Sequence, residues 1–150
     1  MSENARKLTM CLVFLLFFSF VSQVVADDPV RIHAAIITAS NQGNDFNLDN
    51  DAYRDQLIKL FSYSNYQQNA NLSLDLIQGT ETKTQLPDGY ELVLNLQGKE
   101  EGRILVHAVI QKDNKQYVNT VLSILEQGVV FLGGAPVQGG ELIIVLETGF

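Results

Sequence analysis

Apolar and polar positions alternate along most of this chain, and the period of the alternation changes once. Residues 30–39, "VRIHAAIITA", are almost continuously apolar and rich in β-branched side chains. That pattern predicts a central strand covered on both faces. A polar loop follows over 40–50, with Gly43 as its turn residue. Over 51–61 the period becomes helical: Tyr53, Leu57, Leu60 and Phe61 make one apolar stripe, and Arg54, Asp55 and Lys59 take the other side. Leu48, just ahead of the cap, is placed to pack back on the first turns as a staple.

Beyond the helix the period returns to two. Leu72, Leu74 and Leu76 alternate with Ser73 and Asp75, and Tyr90, Leu92, Leu94 and Leu96 alternate with Glu91, Val93 and Asn95. A long strand over 103–111 puts Ile104, Val106, Ala108 and Ile110 on one face, and the next, over 117–125, does the same with Val118, Thr120, Leu122 and Ile124. Two shorter apolar strands, 129–132 and 142–146, flank "GGAPVQGG", which reads as a hairpin loop with glycines at positive φ. Pro87-Asp88-Gly89, the charged stretch 98–102 and Asp113-Asn114-Lys115 supply the turns. Such short connections favour antiparallel pairing, because a parallel crossover takes about a dozen residues or more. The fold expected is therefore α+β: mainly an antiparallel β-sheet or sandwich with one packed α-helix, strand and helix first and a β-rich half after.

The N-terminus has a different character. Arg6 and Lys7 precede the apolar run "LTMCLVFLLFFSFVSQVVA", and Val24 and Ala26 stand at the −3 and −1 positions of a small-residue exit. This is the pattern of a secretory signal peptide over 1–26, leaving a single β-rich domain over 27–150. An uncleaved anchor is the alternative, since the run approaches the ~20 residues that span a bilayer. Ser19, Ser22 and Gln23 weaken the C-terminal half of the run and favour cleavage. Cys11, the only cysteine, lies inside the run and follows the bulky Met10, which does not fit a lipid-anchoring site. The mature chain would then have no disulfide, thiolate metal site or cysteine nucleophile, which suits a bacterial periplasm or exterior.

Charge narrows the partners. The chain has 17 acidic and 10 basic residues, and losing Glu3, Arg6 and Lys7 with the leader leaves 16 and 8. A net charge near −8 argues against nucleic acid and anionic lipid as ligands, because both need clustered lysine and arginine.

The sharpest chemical feature is "NDFNLDNDAYRD", residues 44–55. Asp45, Asn47, Asp49 and Asp51 stand at alternate positions, as oxygen ligands do in a calcium loop. The EF-hand pattern D-x-[DN]-x-[DN]-G-x5-E is matched at its first three ligand positions only. Asn50 stands where glycine makes the sharp turn, and Gln56 where glutamate binds the ion in bidentate fashion. Helix capping explains the same residues: Asn50 or Asp49 as cap, with Asp51 and Asp55 near the positive end of the dipole. A weak, irregular calcium site using Asp45, Asn47, Asp49 and Asp51 is the competing reading.

His33 and His107 lie on separate strands and would come together if those strands paired, but two histidines fall short of a zinc site. No G-x-S-x-G elbow is present, and "LGGAPVQGG" lacks a phosphate loop's lysine and the helix that follows it. Tyr53, Phe61, Tyr63 and Tyr66 form an aromatic group at and after the helix. They read as core and collar, or, for Tyr53, Tyr63 and Tyr66, as a partner-binding surface.

"IHAAIITAS", "LIKLFSYSNY", "LPDGYELVLNL" and "FLGGAPVQGGELIIVL" resemble motifs of short exported bacterial proteins of no assigned function, in which a strand and helix also precede a β-rich half. The resemblance covers most of the mature chain and implies one intact domain in a bacterial envelope setting. It carries no catalytic residue. The strand-rich second half is also similar, at the level of fold alone, to small β modules of secretion machinery.

The function expected is an exported, non-catalytic protein-interaction or structural module of the bacterial cell envelope, periplasmic or secreted, with an envelope protein as partner. Contacts would come from an open strand edge or from the aromatic collar. The alternative is a weak calcium- or ligand-binding module built on the 45–51 acidic loop. A hydrolase with dispersed residues ranks third, with His107 as the residue to test.

Overall fold

A computed structural model describes residues 28–149. The expected signal peptide and the question of its cleavage lie outside the described residues. So does Cys11.

Nine strands form two sheets with one short helix. The strands are β1 (Val30–Ser40), β2 (Phe46–Asn47), β3 (Asn65–Leu76), β4 (Glu81–Gln85), β5 (Glu91–Glu100), β6 (Arg103–Lys112), β7 (Lys115–Leu125), β8 (Val129–Val137) and β9 (Gly140–Thr148). The helix α1 (Arg54–Leu60) continues from a 3-10 turn, Asp51–Tyr53. The first sheet runs β2-β3-β1-β9-β8 and the second β4-β5-β6-β7. All pairings are antiparallel except the two-residue contact of β2 with β3. The antiparallel, β-rich architecture with one helix is as expected from the alternation.

The first strand in sequence is central in space. β1 pairs with β3 on one side and β9 on the other, and each of its faces enters a different apolar cluster. Val30, Ile32, Ala34 and Ile36 join Leu92, Leu94, Val106, Ala108 and Ile110 of the second sheet, so one core draws on both sheets. Ala35, Ile37 and Ala39 join Ile143 and Val145 of β9 with Tyr53, Leu57 and Tyr66. This second cluster is where the helix sits. Continuous apolar character in β1 and β9 follows from burial on both faces.

The turns explain the strand register. Glu101-Gly102 and Asp113-Asn114 are two-residue connections with φ of 50° and 71° and of 50° and 62°. Positive φ at both central positions gives the turn whose twist matches that of two paired strands. β5–β6 and β6–β7 are therefore tight hairpins.

Four sequence expectations are corrected. "GGAPVQGG" is mostly strand: β8 continues through Val137 with a register shift between Gly133 and Ala135, and the turn is only Gln138-Gly139. β3 begins at Asn65, well before Leu72, and β4 is a strand that the apolar pattern does not predict. Both have mixed or wholly polar segments whose side chains face solvent, so no apolar alternation marks them. Leu60 is 60% exposed although it ends α1, because the helix meets the sheet through Tyr53, Leu57 and Phe61 and Leu60 faces away from that contact. Finally, β1 and β6 belong to different sheets, so His33 and His107 do not meet. His107 lies on the face of the second sheet opposite its core residues Val106 and Ala108, whereas His33 lies on the helix side of the first.

Candidate functional site

The acidic loop does not gather its oxygens. Asn50 is the cap, and its side chain accepts from the Ala52 amide at 3.0 Å. Asp51 starts the 3-10 turn. Asp45 and Asp49 are held apart along β3: Gln67 Nε2 donates to Asp45 Oδ2 at 3.5 Å, and Gln68 Nε2 donates to Asp49 Oδ2 at 2.8 Å. Gln68 also accepts from the Asp49 amide at 3.0 Å. Asn47 is an exposed residue of β2. Among the described residues, no group of three or more histidine, cysteine, aspartate and glutamate side chains is placed to hold a metal ion.

Asp49 instead lines a polar pocket of about 180 Å³ with His33, Asn50, Tyr53, Gln68, Asn71 and Glu147. Strand register builds its floor. His33 stands opposite Ser73 of β3 and Glu147 of β9, and Ala35 stands opposite Asn71 and Val145. Ala35 and Val145 are the last buried members of the helix-side cluster, and the His33 row lies beyond it, so polar side chains there keep access to water and partners. Ser73 Oγ is 3.4 Å from His33 Nδ1. Tyr53 Oη donates to Glu147 Oε2 at 2.5 Å. Burial, then the adjoining Glu147 carboxylate, pushes the Tyr53 phenol up to about 12, so it serves as a neutral donor at ordinary pH. Sequence reasoning misses Glu147 because it lies in a strand-end "LET", where an acid ordinarily means solvent. Its one signal is that it interrupts an otherwise buried strand.

The three candidate partner-binding tyrosines have different surroundings. Tyr66 is wholly buried, and its hydroxyl donates to the backbone carbonyl of Phe61 at 2.8 Å, with the Leu57 carbonyl 3.2 Å away sharing the same proton. That bond closes the end of α1 onto β3. Tyr53 is also buried and meets Phe131 edge-on, with centroids 6.0 Å apart. Tyr63 is half-buried, and its hydroxyl donates to Glu141 Oε2 at 3.1 Å. Phe46 stacks on Tyr66 at 5.1 Å and carries the Arg54 guanidinium 4.4 Å from its ring centroid. Most of this aromatic area fixes helix to sheet.

A second feature is the edge of β7. The strand has β6 on one side and, among the described residues, no hydrogen-bonded strand on the other. β8 turns back and runs close to it, backbone as well as side chain, with Val118 against Gly134, but does not join its ladder. β3 also has no ladder partner along its outer edge beyond the two residues that β2 pairs, but that stretch carries Asp75, and the remaining edges are blunted. β2 is two residues long, β4 is five with an exposed Glu81–Lys83 pair, and β8 contains Pro136 and a bulge. β7 has eleven residues with neither glycine nor proline, and its single charge is Lys115. Val121 and Leu125 are 61% and 53% exposed on the face of the sheet away from the core. On that face His107 Nε2 donates to Asn119 Oδ1 at 2.7 Å, and Asn119 Nδ2 donates to Gln116 Oε1 at 2.8 Å. β6 and β7 together contain no acid, in a chain that has 17.

Comparison with protein-family profiles, with curated proteins and with solved structures found no match. What the site can do follows from its own geometry.

Proposed function

We propose that this chain is an exported, non-catalytic protein-interaction module of the bacterial cell envelope. In this reading its two sheets stack as a sandwich and β7 takes up an extended segment of a partner protein. The observation that carries it is the edge of β7 that has no ladder partner among the described residues, in a long strand with one charge and with Val121 exposed. Unpaired edge amides and carbonyls are a ready template for another strand, and natural proteins usually blunt such edges.

The test is site-specific photo-cross-linking in the native cells. A cross-linker at Val121 should capture one defined protein, and the same group at Glu81 on the short β4 edge should not. Val121→Lys should abolish capture when the cross-linker is moved to Ser123. Equal capture from both edges, or capture indifferent to Val121→Lys, would remove β7 from the account.

One observation favours a second reading, a small-ligand site. Asp49 and Glu147 put two carboxylates into one pocket with His33, Asn71 and the Tyr53 hydroxyl. Such acceptor-rich walls suit a small cation or a hydroxyl-bearing molecule. Calcium is the first probe. At about 100 times its dissociation constant it would add roughly 2.7 kcal/mol to stability, a rise of several degrees in the unfolding midpoint. An unchanged midpoint in calcium and in chelator removes calcium as the ligand.

A further inference from the structure

We propose that the strand accepted by β7 is β7 of a second copy, in an antiparallel pair around a two-fold axis at Val121. The proposal rests on the edge-strand reading and names its partner.

Beyond its immediate neighbours, the sequence around Val121 has the same residue types in both directions. Thr120 and Leu122 flank it, then Asn119 and Ser123, then Val118 and Ile124. In an antiparallel pair related by a two-fold axis, a strand meets its own sequence reversed. With the axis at Val121, Val121 meets Val121 of the second copy, Asn119 meets Ser123, and Val118 meets Ile124. Asn119 would face a polar residue and Val118 and Val121 β-branched ones, while Thr120 meets Leu122 and, past the bulge at Tyr117, Gln116 meets Leu125.

Side-chain direction agrees. Val118, Ile124, Leu122 and the core face of β6 enter one cluster, and Asn119, Val121, Ser123 and Leu125 point to the other side. Opposed residues in this register point to the same side of the joined sheet, as antiparallel pairs must. The exposed Val121 side chain would then be covered by its own copy at the centre of the contact. Neither Thr120 nor Leu122 brings a charge into the pair.

Charge fixes the ends. β7 is bounded by Lys115 and by Glu126 in the following turn. The ladder to β6 takes Ile110 to Val118 but Gln111 to Gln116, so Tyr117 is an extra residue on β7. Allowing for that bulge, the register brings Lys115 of each copy to Glu126 of the other. Both ends of the pair are then closed by opposite charges. Moving the register by two residues sets Lys115 against Ile124 in one direction and Glu126 against Val118 in the other. A net charge of −7 repels two copies of this chain elsewhere on their surfaces. The acid-free strands β6 and β7 are where that repulsion is smallest.

The experiment uses the full chain with Cys11→Ser, so that an introduced thiol is the only one whether or not the leader is removed. Val121→Cys should oxidise to a disulfide-linked dimer at least about tenfold faster than Asn119→Cys or Ser123→Cys alone, because only position 121 meets itself across the axis. Mixing the last two should give the 119–123 heterodimer. Sedimentation should show a dimer for the parent chain, a monomer for Lys115→Glu, and a dimer again for Lys115→Glu with Glu126→Lys. Circular dichroism on each variant confirms that it is folded.

A monomer at every concentration, with position 121 no more reactive than its neighbours, overturns the second copy. A dimer whose thiol pattern centres elsewhere overturns it too. The edge-strand reading is judged separately, by the mass captured at Val121 in cells. Twice the chain's own mass supports self-pairing, and a defined heavier or lighter partner keeps the edge but rejects the copy.

Discussion

The Tyr53 hydroxyl donates to the Glu147 carboxylate, joining residues 94 positions apart. Tyr53 closes the 3-10 turn after the acidic loop, and Glu147 sits near the end of the last strand. The contact ties the loop, the helix start and β9 into one unit and forms a wall of the polar pocket. A hydrogen bond to a charged group contributes about 1.5–3 kcal/mol. The loop between β1 and α1 is thus held from below by a buried phenol as well as capped by Asn50.

This bond predicts a pH response. The folded phenol is raised to about 12, above its ordinary value of about 10. A group raised on folding stabilises fully below its unfolded pKa, and the contribution is lost as pH rises through the folded one. The window is therefore about pH 10 to 12, over which Tyr53 should remove about 1–2 kcal/mol of stability once solvent screening at the pocket mouth is allowed for. Denaturant midpoints measured across that window should fall more steeply for the parent chain than for Tyr53→Phe. Parallel slopes would show that the phenol is not buried against the carboxylate.

Leu57 and Leu60 belong to one stripe in the helical pattern but not in the fold. Leu57 is fully buried among Tyr53, Tyr66 and Ile143, and Leu60 is mostly in solvent. Leu57→Ala should cost about 2–5 kcal/mol through lost burial and the cavity left behind. Leu60→Ala should stay within about 0.5 kcal/mol, as surface changes do. Thermal or urea unfolding of the two variants checks the difference, and similar losses would mean that the helix packs through both.

That pair also marks how far the sequence can be read. Where a strand has one wet and one dry face, as in β5 to β7, alternation locates it within a few residues. β1 is legible as a continuous apolar run because it is buried twice. The period and extent of the helical segment are legible, but the pattern counts apolar residues without knowing which of them, as with Leu60, the sheet surface reaches. β4, "ETKTQ", has no residue that announces burial, and the first half of β3 is mostly amides. β8 is hidden by glycine and proline, which mark turns in most places and here mark a bulged edge. The pocket is half legible. Asp49, Tyr53 and His33 each carry a separate sequence signal, but only the register of β1 with β9 and β3 brings them beside Glu147 and Asn71.

The cap offers a prediction that separates the two readings of the acidic loop. Asn50 accepts from the Ala52 amide, whereas Asn47, a candidate calcium ligand, is exposed in β2. Asn50→Ala should lose about 0.5–2 kcal/mol in the absence of any metal. Asn47→Ala should leave the midpoint unchanged in chelator. If Asn47→Ala lowers the midpoint only when calcium is present, the loop binds the ion through residues that the apo geometry keeps apart.

Gly140 gives the sharpest packing test. It opens β9 opposite Ser40, and a Cβ built on it would collide with the Ala39 carbonyl oxygen and lie 2.8 Å from its carbon. Both neighbours are backbone, and Ala39 is fully buried, so no side chain can swing away. Gly140→Ala must push β9 from β1 where the helix-side cluster is packed, at a cost of about 1–3 kcal/mol or more. Gly79 is the control. It lies in the turn before β4 with φ of 79° and nothing within 4 Å of an added Cβ. Gly79→Ala carries only backbone strain, about 1–2 kcal/mol. Hydrogen exchange distinguishes the two where midpoints overlap. Gly140→Ala should speed exchange along β1 and β9, while Gly79→Ala should leave both strands protected. Protection of β1 unchanged by Gly140→Ala would mean that the two strands do not approach this closely.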